Sequence, residues 1–176
     1  MPYAINFRSD NNSSENIRRL WEEYATLEES PSMEAMQYPP HLTLAIYDEV
    51  ERDVLLAGLA AAVECLDCLT IRFESLGYFR TPYGIVLWAA PTLPQAVLNA
   101  REKIHSTINP DLCRPTYRPG NWVPHCSLAT AIGNEREDEA IAIAERSIEP
   151  FEVTFDAVDS ASFMPVQVLK ETVFAG

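Results

Sequence analysis

A chain of 176 residues with 47% apolar and 22% charged side chains has an ordinary globular composition and enough length to bury one sizeable core. Its net charge of −13 argues against a protein that grips a DNA duplex or other long nucleic acid through phosphates, since that binding is carried by Lys and Arg. No apolar run reaches the roughly 20 residues that span a bilayer, and no basic segment followed by an apolar core opens the chain, so the expectation is a soluble, cytoplasmic monomer without membrane contact.

Tyr3, Ile5 and Phe7 alternate with Ala4, Asn6 and Arg8, which predicts a half-buried strand. Asn11, Asn12 and Ser13 supply capping side chains, and Glu15 stands three residues after Asn12 as in a capping box. Ile17, Leu20, Trp21, Tyr24 and Leu27 then follow at helical spacing, a stripe read as core packing. Ser30 to Pro40 holds three prolines and predicts a loop into a strand over His41 to Tyr47. Helical spacing returns over Asp48 to Glu64, with Val50, Val54, Leu55, Leu59 and Val63 on one side.

Leu69, Ile71 and Phe73 begin the next strand, and Thr81-Pro82-Tyr83-Gly84 is a turn that pairs it with Ile85 to Ala90. Pro94 suits the first turn of a helix to about Ile108, with His105 on it as a packing or solvated residue. Asn109 to Pro124 is irregular and carries four prolines together with Arg114, Tyr117, Arg118 and Trp122. It is either a stiff connector or a loop whose two arginines and two aromatics contact phosphate or base. Asn134 caps a helix to about Ser147, Phe151 to Phe155 forms a strand, and extended runs over Ser160 to Met164 and Val166 to Phe174 complete the chain.

Cys65 and Cys68 form a CxxC pair at a predicted helix end, where a redox motif would instead open a helix. Cys113 offers no second closely spaced ligand pair. The four cysteines therefore read as reduced, with no metal and no cofactor expected.

Two stretches carry chemistry: Pro40-His41-Leu42-Thr43-Leu44 and Pro124-His125-Cys126-Ser127-Leu128. Side chains alternate along a strand, so His41 and Thr43 share one face while Leu42 and Leu44 point inward, and the second copy repeats this with His125 and Ser127. The copies are 84 residues apart, and the flanking pairs Ile71/Val153 and Tyr3/Ile85 are each 82 apart. We read this as one bilobal domain over residues 1–176 with an internal repeat of about 1–80 and 83–174. A two-fold related pair of lobes would set the motif strands face to face across a cleft.

Imidazole titrates near pH 6.5, so one histidine can act as base and the other as acid on opposite sides of a phosphorus centre. Thr43 and Ser127 can donate hydrogen bonds to the non-bridging oxygens. The paired H-x-(S/T)-hydrophobic motifs, in a duplicated chain of this length, resemble the 2H phosphoesterase superfamily, which includes 2′-5′ RNA ligases and 2′,3′-cyclic nucleotide phosphodiesterases. The resemblance implies an α+β, bilobal fold of two mainly antiparallel sheets around a cleft. It also implies metal-independent opening of cyclic phosphodiesters on a small nucleotide or an RNA terminus, commonly to a 2′-phosphate, with His41 and His125 as the catalytic pair. Two other readings stay open: RNA end ligation, and a non-catalytic module that senses a nucleotide or RNA end.

Overall fold

The computed structural model describes residues 1–175. Among the described residues, eight strands form two four-stranded antiparallel sheets with five helices around them. The first sheet has the order β2-β1-β7-β8, from β1 (Tyr3–Arg8), β2 (His41–Tyr47), β7 (Ala157–Ser162) and β8 (Gln167–Val173). The second has the order β5-β4-β3-β6, from β3 (Leu69–Thr81), β4 (Gly84–Thr92), β5 (Cys126–Ile132) and β6 (Phe151–Phe155). Both motifs thus fall on edge strands, β2 and β5, and these two edges approach each other.

The sequence halves 1–80 and 83–174 do not each build one lobe. Thr81 to Gly84 closes a tight hairpin, which requires β3 and β4 to pair in the same sheet. The first sheet is completed instead by β7 and β8 from the far end of the chain. β3 and β6, which match in sequence 82 residues apart, lie side by side with Ile71 opposite Val153. Gly84 makes the hairpin possible: its φ is 130°, and a Cβ there would lie 2.1 Å from the Ile132 carbonyl oxygen.

Three of these five helices cross between the sheets. α1 (Glu15–Tyr24) and α2 (Ser32–Met36) pack on β5, whereas α4 (Gln95–Thr107) packs on β2 and on α3 (Arg52–Val63). α5 (Glu137–Ala144) covers β3 and β4. Each half therefore braces the other half's motif strand, and one apolar cluster runs from Ile5 and Phe7 through Leu42, Leu44 and Phe73 to Leu128 and Phe155.

Several local expectations need correction. The cap at the entry to α1 is Asn11, whose Oδ1 accepts from the Ser13 N–H at 2.9 Å ahead of a short 3₁₀ turn, so the Asn12–Glu15 box does not form. α2 occupies part of the expected loop before Pro39. α3 begins at Arg52 rather than Asp48, and Val54 is exposed, because Leu55, Gly58, Leu59 and Ala62 form the buried face. Asn134 opens a 3₁₀ turn and α5 starts at Glu137, with three acidic side chains favourably placed against its N-terminal dipole. Both faces of β1 are covered, so Asn6 and Arg8 are buried. β7 begins at Ala157 and is buried along its whole length despite Asp159, Ser160 and Ser162.

Candidate active site

Alternation along β2 buries Leu42 and Leu44 completely and leaves His41 and Thr43 lining a cavity of about 810 Å³. Alternation across the start of β5 buries Cys126 and Leu128 and leaves His125 and Ser127 lining a second cavity of about 460 Å³. Cys126 lies against the His41 backbone, and His125 is near enough for its charge to be felt at His41.

Both imidazoles are held in one way. His41 Nδ1 lies 2.9 Å from the Pro39 carbonyl and His125 Nδ1 lies 2.8 Å from the Val123 carbonyl. A carbonyl only accepts, so each Nδ1 carries the proton and each Nε2 is left for proton exchange. Burial lowers the His41 pKa to about 4, opposed by the Pro39 carbonyl and assisted by His125. Burial also lowers His125, again opposed by its carbonyl partner.

Behind His41 stands a buried polar network that the motif does not announce. Tyr38 meets the His41 ring edge-on at 4.9 Å and donates its hydroxyl to both oxygens of Asp159, at 2.7 and 2.6 Å. Arg8 Nε binds Asp159 at 2.9 Å, and its far nitrogen pairs with Glu171. Asn6 Nδ2 donates to Asp159 at 3.2 Å, which orients the amide so that Oδ1 accepts from the Thr43 hydroxyl at 2.9 Å. The carboxylate thus reaches both motif side chains through one intermediate each.

His125 has an aromatic surround. Phe79 meets it edge-on at 5.0 Å, and the Trp88 and Tyr117 rings lie at 6.2 and 6.5 Å. Gly77 makes room for Trp88, since a Cβ at that position would come within 2.3 Å of the indole.

Of the loop residues, Tyr117 and Trp122 line the cavity beside His125. The Trp122 indole N–H donates to the Thr43 carbonyl at 3.2 Å. Arg114 pairs with Asp48 at 2.5 Å and lies over Phe163, which lines the His41 cavity. Arg118 donates to the carbonyls of Cys113 and Asp111, bracing its own loop. Trp21, read as packing, also donates its indole N–H to the Ser127 carbonyl at 2.9 Å. Among the described residues no cluster of His, Cys, Asp and Glu is arranged to hold a metal ion, and no helix is long and apolar enough to cross a membrane.

The motifs also extend further back than the histidine. Tyr38-Pro39-Pro40-His41 and Trp122-Val123-Pro124-His125 share the form aromatic-x-Pro-His. In each, the residue at x supplies the carbonyl that fixes Nδ1. This longer repeat is the signal in the sequence that points to Tyr38; for Asn6, Arg8 and Asp159 there is none, because they lie in strands whose burial the pattern does not reveal.

A bilobal α+β chain with paired histidine motifs on facing sheet edges has the architecture of a two-histidine phosphoesterase. Residues 11–162 match the model of the 2′-5′ RNA ligase superfamily, and the chain belongs to that superfamily, the 2H phosphoesterases. No curated protein matches it by sequence. Among solved structures, Escherichia coli LigT complexed with 3′-AMP is similar over 100% of both chains, with a TM-score of 0.60 and 18% identity. The Thermus thermophilus protein TT0787 is similar over 100% of this chain and 99% of its own, with a TM-score of 0.60 and 18% identity. At these identities the likeness is one of fold.

Proposed function

We propose that this protein is a metal-independent phosphodiesterase that opens 2′,3′-cyclic phosphates of nucleotides or RNA termini, with His41 and His125 as the acid/base pair. The observation that carries the reading is the duplicated imidazole: two rings with Nδ1 fixed on a carbonyl and Nε2 not used in that contact, carried by the motifs of two neighbouring edge strands. A packing histidine needs no such tautomer, and two matched copies are what an in-line displacement at phosphorus requires.

His41, whose pKa falls to about 4, is neutral near pH 7 and takes the proton of the attacking water. As the water oxygen bonds to phosphorus, the bond to one ribose oxygen breaks, and His125 gives that oxygen its proton. His125 serves as the acid because its pKa is displaced less, and a bound phosphate anion favours its charged form. Ser127 and Thr43 donate to the non-bridging oxygens, Thr43 after turning its hydroxyl away from Asn6. Tyr117 and Trp122 flank the acid, while Arg114 and Arg118 reach substrate only by leaving their present partners.

LigT complexed with 3′-AMP and with phosphate supports a nucleotide as the ligand. RNA end joining uses the same groups in reverse, but the net charge of −13 works against holding a strand. The test is hydrolysis of 2′,3′-cyclic nucleotides in excess chelator. We expect turnover with a bell-shaped pH profile, and a loss of about a hundredfold or more in kcat for His41→Ala and again for His125→Ala. Activity that needs added metal, or that survives both substitutions, rules the proposal out.

A further inference from the structure

We propose that Trp122 and Arg101 form a latch that sets His125 against the first motif strand, so that Trp122 is a positioning residue rather than a platform on which substrate stacks. The kinetic consequence rests on the phosphodiesterase reading; the latch itself rests on geometry.

Trp122 stands three residues before His125, yet its indole N–H is bound to Thr43, in the other motif. Arg101, on α4, lies face-on over the Trp122 ring with its guanidinium carbon 4.0 Å from the centroid. One guanidinium nitrogen donates to the Leu44 carbonyl and another to the Tyr117 carbonyl at 2.9 Å. Successive carbonyls of β2 are therefore held, Thr43 by Trp122 of the segment that delivers the second histidine and Leu44 by the α4 arginine that lies against the Trp122 ring. The Arg114 N–H extends this seam to the Ile46 carbonyl at 2.8 Å.

What lies between the latch and His125 is stiff. Pro124 fixes its own φ and confines Val123 to extended backbone. Val123 is also the residue whose carbonyl fixes His125 Nδ1. A shift of Trp122 thus passes directly into the placement of the imidazole.

The chemistry of Arg101 points the same way. Its side chain is buried, its hydrogen bonds go to neutral carbonyls, and burial lowers its pKa to about 10. Burying a guanidinium on such partners contributes little to stability, and an apolar side chain of similar volume often serves as well. What it does provide is a rigid planar fork with several fixed donors. It also covers one face of Trp122, while the indole N–H is already engaged, so that face and that edge of the ring are closed to a base. Tyr38, at the matching position of the first motif, turns instead to Asp159, so the latch belongs to the second copy alone.

The test compares Trp122→Phe and Arg101→Met in the full chain, by turnover of 2′,3′-cyclic nucleotide and by NMR titration of the histidines in the free protein. The titratable or charged groups around His125 are Tyr117, which burial raises to about 12, His41 at about 4, and Arg80, which lines the same cavity and pairs with Glu137. Tyr117, His41 and Arg80 keep their charge between about pH 5 and 8, so a shift there belongs to His125. For Trp122→Phe we expect kcat to fall about tenfold or more with KM within about twofold, and the His125 midpoint to move up toward the ordinary value as the ring is released. Arg101→Met is expected to repeat the kcat loss with a melting temperature within a few degrees of the parent, and it decides the matter if Trp122→Phe fails to fold. A KM raised fivefold with kcat retained and His125 unmoved would make Trp122 a stacking surface and overturn the latch. Absence of turnover in the parent overturns the phosphodiesterase reading, while the His125 titration still decides the latch.

Discussion

The two motif copies read almost alike in sequence and stand in opposite surroundings. His41 and Thr43 are backed by a buried carboxylate network of Asp159, Tyr38, Asn6 and Arg8. His125 stands among the rings of Phe79, Trp88 and Tyr117, with its strand held from outside by Trp21 and Glu28. The backbone repeats one solution, the carbonyl that fixes Nδ1, and side-chain chemistry then separates the copies into a deeply buried, polar-backed imidazole and one in an apolar surround. Two equal histidines would leave the division of acid and base work to the substrate; two unequal ones can set it themselves.

The sharpest way to break this contrast is to remove the carboxylate. Asp159→Ala leaves the Arg8 guanidinium buried without its main partner and takes the acceptor from Tyr38 and Asn6. Breaking a buried pair from one side costs about 3 to 5 kcal/mol, which should appear in chemical denaturation. Turnover should also fall by about tenfold or more in whatever folds, because Thr43 and the edge of the His41 ring lose their support.

A smaller effect is expected on the other side. Glu28 accepts from the N–H groups of Thr130 and Ala131 at 2.8 and 2.7 Å and from Ser32, pinning the free edge of β5. Glu28→Ala removes charge-assisted bonds from a partly exposed site, so denaturation should show a loss of about 1 to 3 kcal/mol. If Asp159→Ala proves the milder of the two, the first copy is not the one built around a buried charge.

The alternation Leu42/Leu44 against His41/Thr43 is legible because one face of an edge strand is core and the other is cleft, the case in which period two is cleanest. The hairpin at Gly84 is legible from its turn chemistry. Membership of the lobes is not, since nothing local records that β7 and β8 return to β1 from the end of the chain. Asp159 is hidden for a related reason: a central strand with Asp and Ser on it reads as surface until its partners are known. Trp122 stands out by its aromatic ring, but the use of its N–H depends on a carbonyl 79 residues away.

The finest contrast between the copies is thermodynamic. A histidine whose folded pKa lies below its unfolded value binds fewer protons in the native state than in the unfolded chain between those two values, so stability rises with pH across that interval. For His41 the interval runs from about 4 to the ordinary 6.5, and stability is lost as pH falls through it. His125 is lowered by the same cause but to a lesser extent, so its share of the loss is smaller. His105, lowered to about 4 by burial with Arg101 adding to the effect, contributes a background common to both variants. Replacing His41 by Gln should therefore flatten the dependence of unfolding free energy on pH between about 4 and 6.5 more than replacing His125 by Gln. Differences from the parent at each pH cancel the carboxylate titrations that dominate the absolute curve of so acidic a chain. Equal flattening would mean that the network behind His41 and the rings around His125 desolvate their imidazoles alike, and the division into base and acid would then have to come from the substrate.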